Sequence, residues 1–235
     1  MNQEFDIIVL AAGSGKRMNA SCNKMFLKIA DVPLLYRTLK KISLCPVIKR
    51  IFPVIDSLEL NAYQAMMDTF GNINKIETIL EGGEERSDSV KNALLYISRH
   101  KQSEVLLIHD GARPFITSEL IKNIGDAVIQ YGAALPVMKI CETVRQKVND
   151  GYLIVDRDDL ITAQTPQAFK FDYINECFLS KDADNLELTD DIAYIEHFNH
   201  PVAAVPGEKW NIKITTPEDV TWAEYLLKTY QKLQI

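Results

Sequence analysis

Residues 7–24, Ile-Ile-Val-Leu-Ala-Ala-Gly-Ser-Gly-Lys-Arg-Met-Asn-Ala-Ser-Cys-Asn-Lys, constrain this chain more than any other stretch. Residues 7–10 form an uninterrupted apolar run, which fits a strand buried on both faces, as in parallel sheets covered by helices on either side. The run ends in residues with almost no side chain. Ala11, Ala12, Gly13, Ser14 and Gly15 open main-chain N–H groups to an anion, and Lys16, Arg17 and Lys24 add positive charge beside them. A polyphosphate suits such a loop, although glycines at a strand end suit a plain turn as well. Two familiar phosphate loops are excluded by spacing. Met18 stands where the dinucleotide fingerprint needs a third small residue, and Arg17 stands where a P-loop needs Ser or Thr.

Downstream, helical and extended periodicities alternate. Helices are predicted over 33–43 (Leu34, Leu35, Leu39 and Ile42 on one face), 58–70, 87–98, 120–131, from Phe171, over 192–198, and after Pro217. Strands are predicted over 48–55, 75–80, 105–108, 133–138, 202–205 and 211–215, with Pro53 moving the end of its strand towards an edge. This rhythm implies right-handed crossovers and an α/β fold, Rossmann-like, with a mostly parallel twisted sheet in a three-layer α/β/α sandwich. Ligands then belong at the carboxyl ends of the strands. A chain of 235 residues has room for one such domain, 1–235, and would be cramped as two.

A formal net charge of −6 argues against a nucleic-acid surface, so an anionic ligand must meet a local cluster of Lys and Arg. The N-terminal residues carry no basic leader pattern and no long apolar segment occurs, which predicts a cytoplasmic protein without a membrane span. Cys22, Cys45, Cys141 and Cys177 show no C-x-x-C spacing, so they read as free thiols.

Four later segments carry further chemistry. Glu81-Gly-Gly-Glu-Glu-Arg-Ser-Asp-Ser-Val combines a glycine turn with helix-capping residues. His109-Asp110-Gly111-Ala112-Arg113-Pro114 places an acid at the end of a central strand, where it could meet a metal-bound phosphate or a sugar hydroxyl, or simply form an Asx-turn with a salt bridge. Residues 139–160 alternate about Asn149-Asp150-Gly151, the pattern of a protruding β-hairpin that could grip a second subunit or pack on its own domain. Leu188-Thr189-Asp190-Asp191 reads as a helix N-cap.

Together these motifs resemble the 2-C-methyl-D-erythritol 4-phosphate cytidylyltransferases of the non-mevalonate isoprenoid pathway, with the ribitol-5-phosphate cytidylyltransferases as near relatives. The resemblance rests on residues 10–18, 82–90, 109–115, 164–169 (Gln-Thr-Pro-Gln-Ala-Phe), 189–191 and 211–215 (Asn-Ile-Lys-Ile-Thr). It implies a nucleotidyltransferase domain in which Ala11, Ala12, Gly13, Ser14 and Gly15, with Arg17 and Lys24, cradle the CTP triphosphate. Gly83, Glu84 and Ser89 would read cytosine and ribose, and Asp110 and Arg113 would hold the polyol. Thr143 and Arg157 would lie on an arm, 139–160, reaching a neighbouring subunit's site in a homodimer, while Thr189 and Lys213 grip the acceptor phosphate. Mg²⁺ would be held mainly through CTP phosphates, with Asp110 as a possible ligand. The chain departs from the family pattern at Asn23 and Met25, which flank Lys24 in place of the usual Pro and Gln, at Glu142 for Asp, and at Gly111 for a common Ala.

The implied reaction is attack by the acceptor phosphate on the α-phosphorus of CTP. An acceptor phosphate already ionised needs no general base, and none of the four histidines, His100, His109, His197 and His200, is evidently paired with a nucleophile. Arg17, Lys24, Arg157 and Lys213 are the candidate charge stabilisers. Three rivals remain at this level. Ribitol 5-phosphate could be the acceptor, a molybdopterin-type nucleotidyltransferase shares a similar opening loop, and a non-catalytic nucleotide-binding module could keep the same pocket.

Overall fold

The structure is a computed structural model that describes residues 4–13, 23–100, 103–180, 186, 190–230 and 233. Its strands are β1 (Phe5–Leu10), β2 (Lys28–Ile29), β3 (Val32–Pro33), β4 (Ile48–Ile55), β5 (Leu80–Glu81), β6 (Val105–Asp110), β7 (Ala133–Lys139), β8 (Val144–Val148), β9 (Gly151–Val155), β10 (Ile161–Ala163), β11 (Gln167–Lys170) and β12 (Val202–Pro206). The helices are α1 (Leu34–Ser43), α2 (Leu60–Phe70), α3 (Arg86–Ile97), α4 (Ser118–Tyr131), α5 (Phe171–Leu179), α6 (Asp191–His197) and α7 (Pro217–Thr229).

β1 lies at the centre, parallel to β4 on one side and to β6 on the other. Alternate residues of β1 enter two separate cores, as the period of a strand requires. Ile7 and Val9 join α1, α2, α4 and α7 on one face, while Ile8 and Leu10 join α3, α5 and α6 on the other. This is the three-layer, mainly parallel arrangement the apolar runs imply. The exception to parallel pairing is the return segment β10–β11, which runs antiparallel to β7 and inserts β11 between β7 and β6. Ile161 opposes Lys139 and Ala168 opposes Ala134, so the register shifts by two residues where the chain breaks at 164–166. β12 completes the sheet beside β7.

Two predicted strands differ. Residues 75–80 do not form a continuous strand: Ile76 makes a lone bridge to Ile51, and pairing resumes only at Leu80. Ile51 and Ile55 point their main-chain groups to this edge. By the alternation of the strand Pro53 faces the same way, and with no N–H it cannot continue the ladder. Residues 211–215 form no ladder either; they are held by individual bonds described below. The Asn149–Asp150 turn joins β8 and β9 into a two-stranded sheet of their own, with Val148 opposite Gly151.

Close packing of α4 on the sheet depends on Gly125, where an added Cβ would lie 2.1 Å from Cε2 of Phe5. Phe5 is buried and cannot swing into solvent. Gly125→Ala is therefore expected to destabilise the fold by about 1–3 kcal/mol in equilibrium urea unfolding, despite the better helix propensity of alanine.

Candidate active site

The carboxyl ends of β1, β4 and β6 surround a cavity of about 450 Å³, within the range of small-molecule sites. One wall is built from small residues and a glycine loop. Ala12 and Gly13 follow β1, and residues 82–86 approach so closely that a Cβ on Gly82 would lie 2.3 Å from that of Ala12. The Gly83 amide donates to Ser89 Oγ at 3.0 Å, and the Glu85 amide donates to the Asp88 carboxylate at 3.0 Å. These bonds shape the loop from within and commit the Ser89 hydroxyl to it.

Lys24 enters from a short 3₁₀ turn, Lys24–Phe26. Asn23 caps this turn by accepting the Met25 amide at 3.0 Å, so the departure from the usual Pro supplies its own geometric restraint. Lys24 Nζ reaches the Ile214 carbonyl at 3.4 Å, and both Lys24 and Met25 line the cavity.

The opposite wall is built on Asp110. Its Oδ2 lies 2.9 Å from Lys213 Nζ and 3.4 Å from Arg113 Nε. Burial alone would raise its pKa, but Lys213, Arg86 and Arg113 outweigh burial and bring it down to about 2. Lys213 is delivered by the segment 211–215, which is tied to the 110–113 turn on either side of Lys213. The Ile214 amide donates to the Ala112 carbonyl at 2.9 Å, and Arg113 Nη1 donates to the Asn211 carbonyl at 2.8 Å. Asn211 Nδ2 in turn donates to the Thr165 carbonyl at 2.9 Å. A Cβ at Gly111 would lie 3.0 Å from the Leu10 carbonyl oxygen and 3.2 Å from Leu35, so the Ala common here in the family would fit with a small shift of these neighbours.

His109 is wholly buried behind this turn. Its Nε2 lies 3.1 Å from the Arg113 carbonyl, an acceptor only, so Nε2 carries the proton. Nδ1 then accepts from the Thr165 hydroxyl at 3.1 Å, and that hydroxyl oxygen accepts the Asp110 amide at 3.0 Å. His109 thus braces the Asp110 backbone and does not line the cavity.

The structure brings together Ala12, Gly13, Lys24, Gly83, Glu84, Ser89, Asp110 and Lys213 from the sequence-predicted set on the cavity lining, and Arg113 through its contact with Asp110. Ala11 is buried in the sheet instead, with its amide donated to Val54 at 2.8 Å. Thr143 and Arg157 are exposed beside the hairpin, outside the cavity lining, and Arg157 Nη1 donates to the Cys141 carbonyl. Ser14, Gly15, Arg17 and Thr189 lie outside the described residues, as does Cys22. Glu142 is exposed next to Thr143.

Sequence reasoning missed Arg86. It lines the cavity and makes two parallel bonds of 2.6 Å to the fully buried Asp191. Burial opposes its charge, yet Asp191 holds the guanidinium proton more firmly than usual. The signal was present only as an Arg just before the predicted helix 87–98, inside the motif 82–90, with no role assigned to it.

Cationic groups beside the small residues after β1 and an ion-paired acid on the opposite wall suit a group-transfer enzyme of the nucleotidyltransferase class. Known proteins narrow this. The family profile of IspD, 2-C-methyl-D-erythritol 4-phosphate cytidylyltransferase, matches residues 5–229. A protein of that name from Clostridium botulinum (strain 657) is 42% identical over 224 residues, spanning 94% of this chain and 96% of its own. Another, from Geobacillus kaustophilus, is 38% identical over 225 residues, spanning 95% and 96%. A solved 4-diphosphocytidyl-2C-methyl-D-erythritol synthase from Anaerococcus prevotii superposes with a TM-score of 0.81 at 29% identity, covering 97% of both chains. The Thermus thermophilus cytidylyltransferase superposes at 0.75 with 26% identity, covering 94% of this chain and 98% of its own. The chain belongs to the 2-C-methyl-D-erythritol 4-phosphate cytidylyltransferase family and is a cytidylyltransferase.

The buried pair His109 and Asp110 makes stability depend on pH in two windows. Burial pushes the His109 imidazole down to about 4, so between roughly pH 6.5 and 4 the unfolded chain binds a proton that the folded one refuses, and stability falls as pH drops. Asp110, depressed to about 2, adds a second loss below roughly pH 4. Thermal melts of His109→Gln should show a flatter slope between pH 6.5 and 4 than the wild type, and an unchanged slope would contradict this origin.

Proposed function

We propose that this chain transfers CMP from CTP to the phosphate of 2-C-methyl-D-erythritol 4-phosphate, giving 4-diphosphocytidyl-2-C-methyl-D-erythritol and pyrophosphate in the cytoplasm. The observation that carries the reading is the Asp110–Lys213–Arg113 cluster set at the same cavity as Lys24 and the 82–86 loop. Family membership supplies the nucleotide and the acceptor.

In this reading the loop 82–86 with Ser89 receives cytosine and ribose, and Ala12, Gly13 and Lys24, joined by Ser14, Gly15 and Arg17, receive the triphosphate. Asp110, kept ionised and oriented by Lys213 and Arg113, accepts hydrogen bonds from the polyol hydroxyls. Lys213 and Thr189 take the acceptor phosphate. One oxygen of that phosphate attacks the α-phosphorus, the bond to the bridging oxygen breaks, and pyrophosphate leaves in line. The acceptor's second ionisation lies near pH 6, so its oxygen is already a nucleophile at neutral pH and no side chain has to remove a proton. The work left for the protein is to bring two anions together and to stabilise charge, which preorganised cations do at no reorganisation cost.

The donor set also fits Mg²⁺. Among the described residues no three His, Cys, Asp or Glu side chains converge as a metal cage. Four carboxylates, Asp56, Glu84, Glu85 and Asp110, line the cavity, and the ion pairs of Asp110 with Lys213 and Arg113 both fall on Oδ2. That suits a hard cation held chiefly by phosphate oxygens and water, with Asp110 as its protein ligand, which would neutralise charge on the triphosphate.

The hairpin supports a homodimer in which Thr143 and Arg157 complete the partner's site. Tyr152, Leu153 and Ile154 of β9 are 64%, 58% and 68% exposed, a run of apolar surface that a single chain leaves in water. If the sites are shared in this way, mixing Arg157→Ala with Lys213→Ala after subunit exchange should restore about a quarter of wild-type activity, because half the dimers then hold one intact site. Absence of recovery in a population shown to exchange would contradict a shared site.

The direct test is pyrophosphate release from CTP and Mg²⁺ with 2-C-methyl-D-erythritol 4-phosphate or ribitol 5-phosphate as acceptor. Activity is expected with the former; activity only with ribitol 5-phosphate, or with neither, would overturn the assignment. Lys213→Ala is expected to lower kcat by roughly two orders of magnitude in a folded protein, and unchanged kinetics would remove Lys213 from charge stabilisation.

A further inference from the structure

Arg86 and Asp191 are 105 residues apart in sequence and form a bidentate pair, with the Asp191 side chain 1% exposed. A buried ion pair rarely adds net stability over apolar packing, so what this pair connects is its informative property. We propose that Arg86–Asp191 is a positioning clamp that fixes the spacing between the nucleotide-side loop, residues 82–86, and Asp110 on the acceptor side.

The links close a ring. Arg86 opens α3 directly after the loop, and Asp191 opens α6. Gln167 of β11 ties down that end of α6, its Oε1 accepting the amides of Asp191 and Ile192 at 3.0 and 3.1 Å and its Nε2 donating to Asp190 at 2.8 Å. Two residues before Gln167, the Thr165 hydroxyl holds the Asp110 amide. Arg86 and Asp110 both line the cavity, so the path returns to where it began. The loop itself does not need the clamp for its shape, because the Gly83–Ser89 and Glu85–Asp88 bonds lie within it. Loss of the clamp should therefore misplace bound CTP relative to the acceptor more than it weakens CTP binding. This inference rests on the assignment of the cavity to CTP and a polyol phosphate.

The test compares Arg86→Gln, Asp191→Asn, the double variant and Arg86→Lys, measuring kcat and KM for 2-C-methyl-D-erythritol 4-phosphate at saturating CTP, CTP affinity by calorimetry, and melting temperature. Each single variant should lose about 10- to 100-fold in acceptor kcat/KM with CTP affinity little changed. The double variant should be no worse than the poorer single one, because residues acting as a unit are not additive. Arg86→Lys keeps the charge without the planar fork, and should show the loss at a near-native melting temperature even if Asp191→Asn does not fold. Normal acceptor kinetics in a folded Arg86→Lys, losses that multiply in the double variant, or a loss confined to CTP affinity would each overturn the clamp. Wild-type turnover in the same assay checks the functional reading separately: silence there overturns that reading and the clamp with it, whereas an active wild type beside a normal Arg86→Lys overturns the clamp alone.

Discussion

A full negative charge at the tip of a central strand is costly unless cations compensate it in place, and Asp110 is compensated by Lys213 and Arg113. Much of the site follows from meeting that demand. Lys213 is held at Asp110 because Asn211 and Ile214 on either side of it are bonded to the 110–113 turn and not to a neighbouring strand. Arg113 is anchored at its other end on the Asn211 carbonyl, so the two cations brace each other's segments. Behind them the neutral His109 and the Thr165 hydroxyl fix the peptide of Asp110 itself. The acid is therefore both ionised and immobile, the condition for preorganised recognition of hydroxyl groups.

The sheet topology brings the remaining pieces to the same end. Parallel β1, β4 and β6 deliver their following loops side by side, which places Ala12, Asp56 and Asp110 around one cavity. The antiparallel segment β10–β11 then does what another parallel strand could not. Running back between β7 and β6, it carries Thr165 to the carboxyl end of β6 and Gln167 to the start of α6. The hairpin β8–β9 leaves the sheet between β7 and β10 and shows an apolar β9 to solvent. One local reversal of strand direction thus serves both the Asp110 side of the cavity and the hairpin.

The central layer was legible because its physics is local. Residues 7–10 are apolar without interruption since both faces of β1 are buried, and the small residues that follow let the backbone approach a ligand closely. The hairpin turn at Asn149–Asp150 was legible for a similar reason. Residues 211–215 misled because Ile212 and Ile214 alternate with polar residues like a strand, while Ile212 bonds locally to Trp210 and Ile214 and Asn211 bond to turn residues about a hundred positions earlier. Residues 75–80 misled because the neighbour they would pair with faces them with Pro53. Asp110 was placed by its position at the end of an apolar strand, whereas Lys213 was placed through family resemblance, not through periodicity. Arg86 escaped notice because a bidentate pair with a residue 105 positions away leaves no local pattern.

The account holds that cations and positioning, without an enzyme nucleophile, accomplish the proposed transfer. Among the described residues the cavity lining contains no His or Cys, and its hydroxyls on Ser89 and Thr215 are engaged with Glu85 and Asp219. The stereochemistry at the α-phosphorus tests this most directly, using CTP made chiral there by sulfur substitution. A single in-line displacement by the acceptor phosphate inverts the configuration of the product, and inversion is the expected result. Retention would mean two displacements through a covalent nucleotidyl-enzyme and would contradict the account.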